Sequence, residues 1–140
     1  MKRKKSALNI LVDTCVWSLL LHRKQKSQHT AAIILQHLIS AASPVYITGI
    51  IFQELLQGIK SAAQATDIKS VLKHFPNLDA TLAVHELAAE IFVQCRKRGF
   101  ATHTVDALIA ATCLYYDCTL LTTDSDFQRI AKLFPLKLLN

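Results

Sequence analysis

Asp13, Glu54, Asp106, Asp124 and Asp126 stand apart within a chain that carries ten acidic residues. Asp67, Asp79, Glu86, Glu90 and Asp117 lie in polar, solvent-compatible surroundings, whereas the first group ends apolar runs or borders apolar helix faces. An ionised carboxylate flanked by Val12 and Cys15 is costly unless hydrogen bonds or charge compensate it. If four such groups converge, two unit charges about 5 Å apart repel by roughly 3 kcal/mol at an effective dielectric near 20. They must then raise one another's pKa or hold a cation. A ligand set made only of oxygen, with no His or Cys, selects Mg2+ or Mn2+. Such an ion can hold a phosphate oxygen and supply a nucleophile.

Each acid also has an ordinary explanation. Glu54 borders the stripe formed by Ile51 and Leu55, and Gly58 on the same side leaves room beside it. The same spacing fits a surface Glu near a helix end. Asp106 falls in a first helical turn, where a carboxylate faces the positive end of the helix dipole. Asp124 or Asp126 is a suitable cap for the helix that follows, which leaves the other without that role.

The elements that would position these groups are legible as alternating apolar runs. Asn9 to Thr14 reads Asn-Ile-Leu-Val-Asp-Thr, a strand buried on both faces with Asp13 at its carboxyl end. Val16, Trp17 and Leu19 to Leu21 then predict a helix ending in the basic cluster His22 to Lys26. A second helix is expected from an N-cap at Thr30, with Ile33, Ile34, His37, Leu38 and Ala41 at helical spacing and Pro44 as its stop. Val45 to Thr48 predicts the second strand, and Gly49 turns the chain into a helix carrying Ile51, Leu55 and Ile59. Residues 62–75 predict a helix with Ile68, Val71 and Leu72 inward, followed by a short strand at Phe75 to Leu78. Ala83 to Arg98 is a long helix with Leu87, Ile91 and Cys95 on one side, stopped by Gly99. Thr104 is the expected N-cap for Val105 to Tyr116. Thr119 to Thr123 repeats the opening pattern, an apolar strand running into Asp124 and Asp126. Phe127 to Phe134 then forms a helix and Leu136 to Leu139 a final strand. Strands alternating with helices imply an α/β fold, a parallel sheet between helical layers. Carboxyl ends of such strands are where ligands bind.

The chain of 140 residues suits a single domain, 1–140, with residues 1–7 as a basic tail. A formal charge of +6 suits a polyanionic partner such as nucleic acid, although modestly basic domains also occur without one. Arg96, Lys97 and Arg98 favour the carbonyl end of their helix and are equally candidates to contact phosphate. Lys2 to Lys5 followed by an apolar run outlines a signal peptide, but Asp13 interrupts that run at about 2.5–3.5 kcal/mol on insertion scales. No small-residue cleavage site follows Leu21, and no other segment approaches a membrane span. A cytoplasmic protein with no membrane partner is expected. Cys15, Cys95, Cys113 and Cys118 form no C-x-x-C pair and read as reduced packing residues.

Asp13-Thr14 after a strand, Glu54-Leu55 with Gly58, Asp106 to Ala111, and Leu121-Thr122-Thr123-Asp124-Ser125-Asp126-Phe127 together resemble the PIN-domain ribonucleases. Within them the chain is most similar to the VapC-like toxins of type II toxin–antitoxin pairs, from about residue 8 to its end. The resemblance implies a three-layer α/β/α fold around a parallel sheet of about five strands. It implies an endoribonuclease that hydrolyses RNA phosphodiester bonds with water activated by Mg2+ or Mn2+. Asp13, Glu54, Asp106 and Asp124 would be its catalytic and metal-binding residues, with Asp13 and Asp106 as direct ligands and Glu54 completing the site or orienting its water. Asp126 matches a position often acidic in the family, and Thr14 and Thr122 match hydroxyl positions beside the acids. His103 could approach phosphate, or serve in packing or capping. The resemblance also implies a homodimer and a cognate antitoxin whose terminal segment enters a groove, for which Trp17, Leu20 and the helices after Gly49 are the candidates. Two other classes stay open: a non-catalytic PIN-like RNA- or protein-binding domain, and a Mg2+ phosphatase with an Asp nucleophile. The latter class would carry Asp-x-Asp after the first strand, where this chain has Asp13-Thr14-Cys15.

Overall fold

A computed structural model describes residues 8–21 and 29–139. The basic tail 1–7 and the basic cluster from His22 to Lys26 lie outside the described residues.

The chain begins in the middle of its sheet. Strand β1 (Ile10–Val12) is buried at every position, because three apolar side chains in succession leave no face for water. Strand β2 (Val45–Thr48) and the two-residue β3 (Asn77–Leu78) add to one side of it, and β4 (Thr119–Leu121) and β5 (Lys137–Leu139) to the other. The order is β3-β2-β1-β4-β5, and every neighbouring pair is parallel. The sheet is therefore built outward in two directions from β1, and the change of direction falls between β1 and β4. At that switch point the connections leave toward opposite sides, which opens a crevice at the carboxyl ends. Val12 lies opposite Leu121, and the Asp13 amide donates to the Leu121 carbonyl at 2.9 Å. The two acid-bearing strand ends thus share one register.

Helices α1 (Thr14–Leu21), α2 (Thr30–Ser40), α3 (Gly49–Gln57) and α4 (Ala62–Leu72) form one group, with α1 packed on α2 and α3, and α3 on α4. Helix α5 (Leu82–Lys97) lies along α6 (Thr104–Tyr115), and both touch α7 (Asp126–Leu133). The three-layer α/β/α expectation and the five parallel strands hold. Among the described residues, no helix is long and apolar enough to cross a membrane.

Several local expectations shift for identifiable reasons. Thr30 and Thr104 are first helical residues, and the N-caps are His29 and His103. The His29 Nδ1 accepts from the Ala31 amide at 3.1 Å, doing the work expected of a Thr hydroxyl. His103 makes no side-chain cap bond. Helix α2 buries Ala31, Ala32 and Leu35, while Ile33 is 40% exposed. Small residues let α2 approach its neighbour closely, so the buried stripe follows the alanines rather than the isoleucine. Ala41 is the C-cap of α2, and Ile59 lies past the end of α3. In α4, Ile68 and Leu72 point inward and Val71 is 42% exposed. The buried stripe of α5 is Val84, Ala88, Ile91 and Cys95, with Leu87 half-buried beside it. Gly99 ends that segment at φ 87°, a left-handed backbone angle that favours glycine. Trp17 is fully buried, against its candidacy as an exposed docking residue, because it packs edge-on to Phe75 with centroids 5.1 Å apart.

Candidate metal centre

Asp13 follows β1 directly and is 6% exposed, yet both its oxygens are satisfied. Oδ1 accepts the Thr14 amide at 2.8 Å. Oδ2 accepts the Thr122 hydroxyl at 2.7 Å and, more weakly, the Cys15 thiol at 3.4 Å. Because Thr122 follows β4, this bond ties the two strand ends across the switch point. The Thr122 hydroxyl in turn accepts the Asp124 amide at 3.0 Å. One threonine therefore fixes Asp13 through its proton and the Asp124 backbone through its lone pair. Asp124 Oδ1 accepts the Asp126 amide at 2.9 Å, which serves the first turn of α7, while Ser125 holds the N-cap position without a side-chain bond. Neither acid holds the N-cap position expected of one of them: Asp124 precedes it and Asp126 is the first helical residue.

Asp106 enters from the first turn of α6. One carboxylate oxygen from each of Asp106, Asp124 and Asp126 can be chosen so that all lie within 4.8 Å of one another, a span suited to a shared cation. Burial pushes the Asp106 carboxyl up from its ordinary value near 3.8 to about 6. The negative charges of Asp124, Asp13 and Asp126 act in the same direction, and His103 opposes them. Asp13 is thus within electrostatic reach of the trio, whose members come from the start of α6 and from the turn between β4 and α7. Glu54 sits one layer back, half-buried on α3, where its Oε1 accepts the Thr14 hydroxyl at 2.9 Å. It joins the centre through Thr14, which also bonds Asp13. Gly58 is the C-cap of α3, its amide bonded to the Glu54 carbonyl at 3.2 Å.

The donor set fits a hard divalent ion. Its members are carboxylates, with hydroxyls behind them, and among the described residues the one ion pair joins Lys137 to Asp117. No Lys or Arg therefore neutralises Asp13, Glu54, Asp106, Asp124 or Asp126 there. Such crowding of acids without basic partners is the arrangement that oxygen-seeking cations relieve.

Of two further neighbours of these acids, Cys15 is expected from sequence only to pack and Thr123 carries no expected role. Cys95, Cys113 and Cys118 are buried packing residues as expected, but Cys15 is half-buried at the centre. Its sulfur accepts the Thr123 hydroxyl at 3.1 Å while its thiol faces Asp13. Burial and the Asp13 charge push the Cys15 thiol pKa up, so it stays protonated and serves as a donor. The only sequence signal for Cys15 and Thr123 is adjacency to Asp13-Thr14 and Thr122. Arg96 lies over the Phe92 ring at 5.9 Å, and Arg98 borders a hollow with Glu90, Gln94, Leu133 and Phe134. That hollow is at the end of α7 away from Asp126. Arg96 thus faces its own helix, Arg98 borders the far end of α7, and Lys97 is the exposed last residue of α5 between them.

The sequence matches the family model described as PIN domain over residues 10–133. No curated protein matches it. Among solved structures, VapBC2 from Rickettsia felis bound to a promoter DNA fragment is 21% identical, with a TM-score of 0.73 over 95% of this chain and 98% of that one. VapBC-1 from nontypeable Haemophilus influenzae is 18% identical, with a TM-score of 0.74 over 95% and 98%. VapC20 from Mycobacterium tuberculosis, a Sarcin-Ricin loop cleaving toxin, is 18% identical, with a TM-score of 0.64 over 86% and 93%. At these identities the likeness is one of fold.

Proposed function

The chain belongs to the PIN-domain family, and from that premise we propose that it is a Mg2+- or Mn2+-dependent endoribonuclease, the toxin of a toxin–antitoxin pair. The observation that carries this reading is the meeting of Asp106, Asp124 and Asp126 beside Asp13, with no Lys or Arg among the described residues to neutralise them. In this reading Asp106, Asp124 and Asp126 hold the ion together with Asp13, and Glu54 acts through Thr14 to keep Asp13 in place. Bound there, the ion supplies positive charge for a phosphoryl oxygen and makes water a competent nucleophile near neutral pH. A cluster carboxylate takes the proton of the attacking water. Thr122 and Cys15 hold the Asp13 carboxylate in one orientation. The net charge of +6 draws the RNA polyanion toward the acids. Arg96, Lys97 and Arg98 would then contact RNA at a distance from the cut. The toxin assignment draws support from the toxin–antitoxin complexes that share the fold. It carries with it a cognate antitoxin, a homodimer and a cytoplasmic setting.

A phosphatase with Asp13 as nucleophile is disfavoured, because that class carries Asp-x-Asp after its first strand and this chain has Asp13-Thr14-Cys15. A binding-only domain has no need of uncompensated acids.

Incubated with single-stranded RNA and Mn2+, the purified protein is expected to produce shorter fragments. EDTA should reduce cleavage to background, and excess Mn2+ should restore it. Equal cleavage in EDTA, read on a denaturing gel, would overturn the metal-dependent reading. In bacterial cells, induced expression should arrest growth, and Asp13→Ala should abolish the arrest. Arrest by the Asp13→Ala protein at the same expression level would remove RNA cleavage as the cause of toxicity.

A further inference from the structure

Next to the acids, where the end of β4 meets the start of α2, the surface opens into a cavity of about 260 Å3. Its walls are His29, Thr30, Ile34, Thr122, Thr123 and Leu139. Thr122 belongs to both places, since its hydroxyl holds Asp13 at 2.7 Å. Thr123 likewise bonds Cys15 at the centre while lining the cavity. A smaller hollow of about 80 Å3, including Thr123, Ser125 and Gln128, continues along the same loop. A chain held at the acids by a phosphodiester would have its neighbouring base within reach of this wall.

On the reading of the acids as an RNA-cleaving centre, we infer that the cavity is a nucleobase subsite, taking one unstacked base of a single strand. Its volume falls just under the roughly 300–1,000 Å3 of pockets for drug-sized ligands, which suits one base rather than a whole nucleotide. Its lining offers what an unstacked base uses: an imidazole plane for stacking, Thr hydroxyls for the polar edge, and Ile34 and Leu139 for the apolar faces. The His29 ring is held before any ligand arrives, because Nδ1 accepts the Ala31 amide. A pre-set wall discriminates between bases at little ordering cost.

The test uses four fluorescein-labelled single-stranded RNA hexamers that differ at one central base, bound by the full chain in Ca2+ and cut in Mn2+. His29→Asn keeps an N-cap acceptor while removing the ring, and Ile34→Phe fills the cavity. The wild-type protein should bind its preferred hexamer about tenfold more tightly than its poorest, a range within what one stacked base supplies. Both variants should compress that range to about twofold, with the unfolding midpoint of His29→Asn unchanged. An unaltered range in both variants, or no discrimination by the wild type, overturns the subsite. In the second case, a protein side chain is the better occupant. If the range is present and compressed while no hexamer is cut, the subsite stands and the nuclease reading falls.

Discussion

Asp106→Asn is expected to leave a folded protein that cleaves RNA at least about a hundredfold more slowly and is more stable than the parent in EDTA. The two effects have one cause. Asn has the shape of Asp without its charge, so the change removes a ligand while leaving the first turn of α6 in place. Loss of groups that merely support a metal ligand already costs about 10- to 100-fold, and the proposed function makes Asp106 a ligand itself. The stability gain follows from the raised pKa. Asp106 titrates near 6 in the folded protein against an ordinary value near 3.8. Between those values the folded state binds more protons than the unfolded one, so stability is fully present below about pH 4 and lost as pH rises through about 6. The shift corresponds to about 3 kcal/mol, and partial solvent exposure of the carboxyl reduces this to about 1. Urea unfolding in EDTA should therefore show parent and variant nearly equal at pH 4 and the variant ahead at pH 7.5. Saturating Mg2+ should reverse the order at pH 7.5, because only the parent gains binding free energy. Undiminished cleavage by the variant, or a variant less stable in EDTA at pH 7.5, would contradict the assignment.

That experiment bears on a part of the centre that sequence could describe only partly. The strand ends at Asp13 and Asp124 were legible because continuous apolar runs leave little choice of element, and parallel order with right-handed crossovers brings two such ends together. Asp126 was singled out with them but its role stayed open, since it lies two residues beyond Asp124 where no periodicity fixes a direction. Cys15 read as a packing residue because its role depends on Thr122 and Thr123, more than a hundred residues later in the chain. The shifted caps at His29 and His103 show the limit of residue preference: a Thr suits both the cap and the first helical position. Ile33 and Val71 misled for another reason. Hydrophobicity ranks them above alanine, but the closeness of helix packing selected Ala31 and Ala32 for the interior.

Trp17 carries the largest expected effect on stability, and it decides whether α1 is a docking face or a part of the core. Its side chain is wholly buried against Phe75, and its amide bonds the Asp13 carbonyl at 3.2 Å. The residue that anchors α1 in the core is therefore tied by its backbone to the first acid of the centre. Trp17→Ala should lower the unfolding free energy by about 3–5 kcal/mol, a large share of the roughly 5–15 that a domain possesses. Trp17→Phe should cost less than about 2. The indole nitrogen is buried without a hydrogen-bond partner among the described residues. Removing that donor relieves a desolvation penalty of about 1–3 kcal/mol, offsetting much of the lost ring volume. Circular dichroism in urea is the suitable probe, because Trp17 is the only tryptophan and its variants have no indole fluorescence. A Trp17→Ala protein within about 1 kcal/mol of the parent would place the ring at the surface, as a partner-facing residue requires. A Phe variant as damaged as the Ala variant would mean that the indole N–H has a partner, and that a bond rather than ring volume holds α1 beneath the acids.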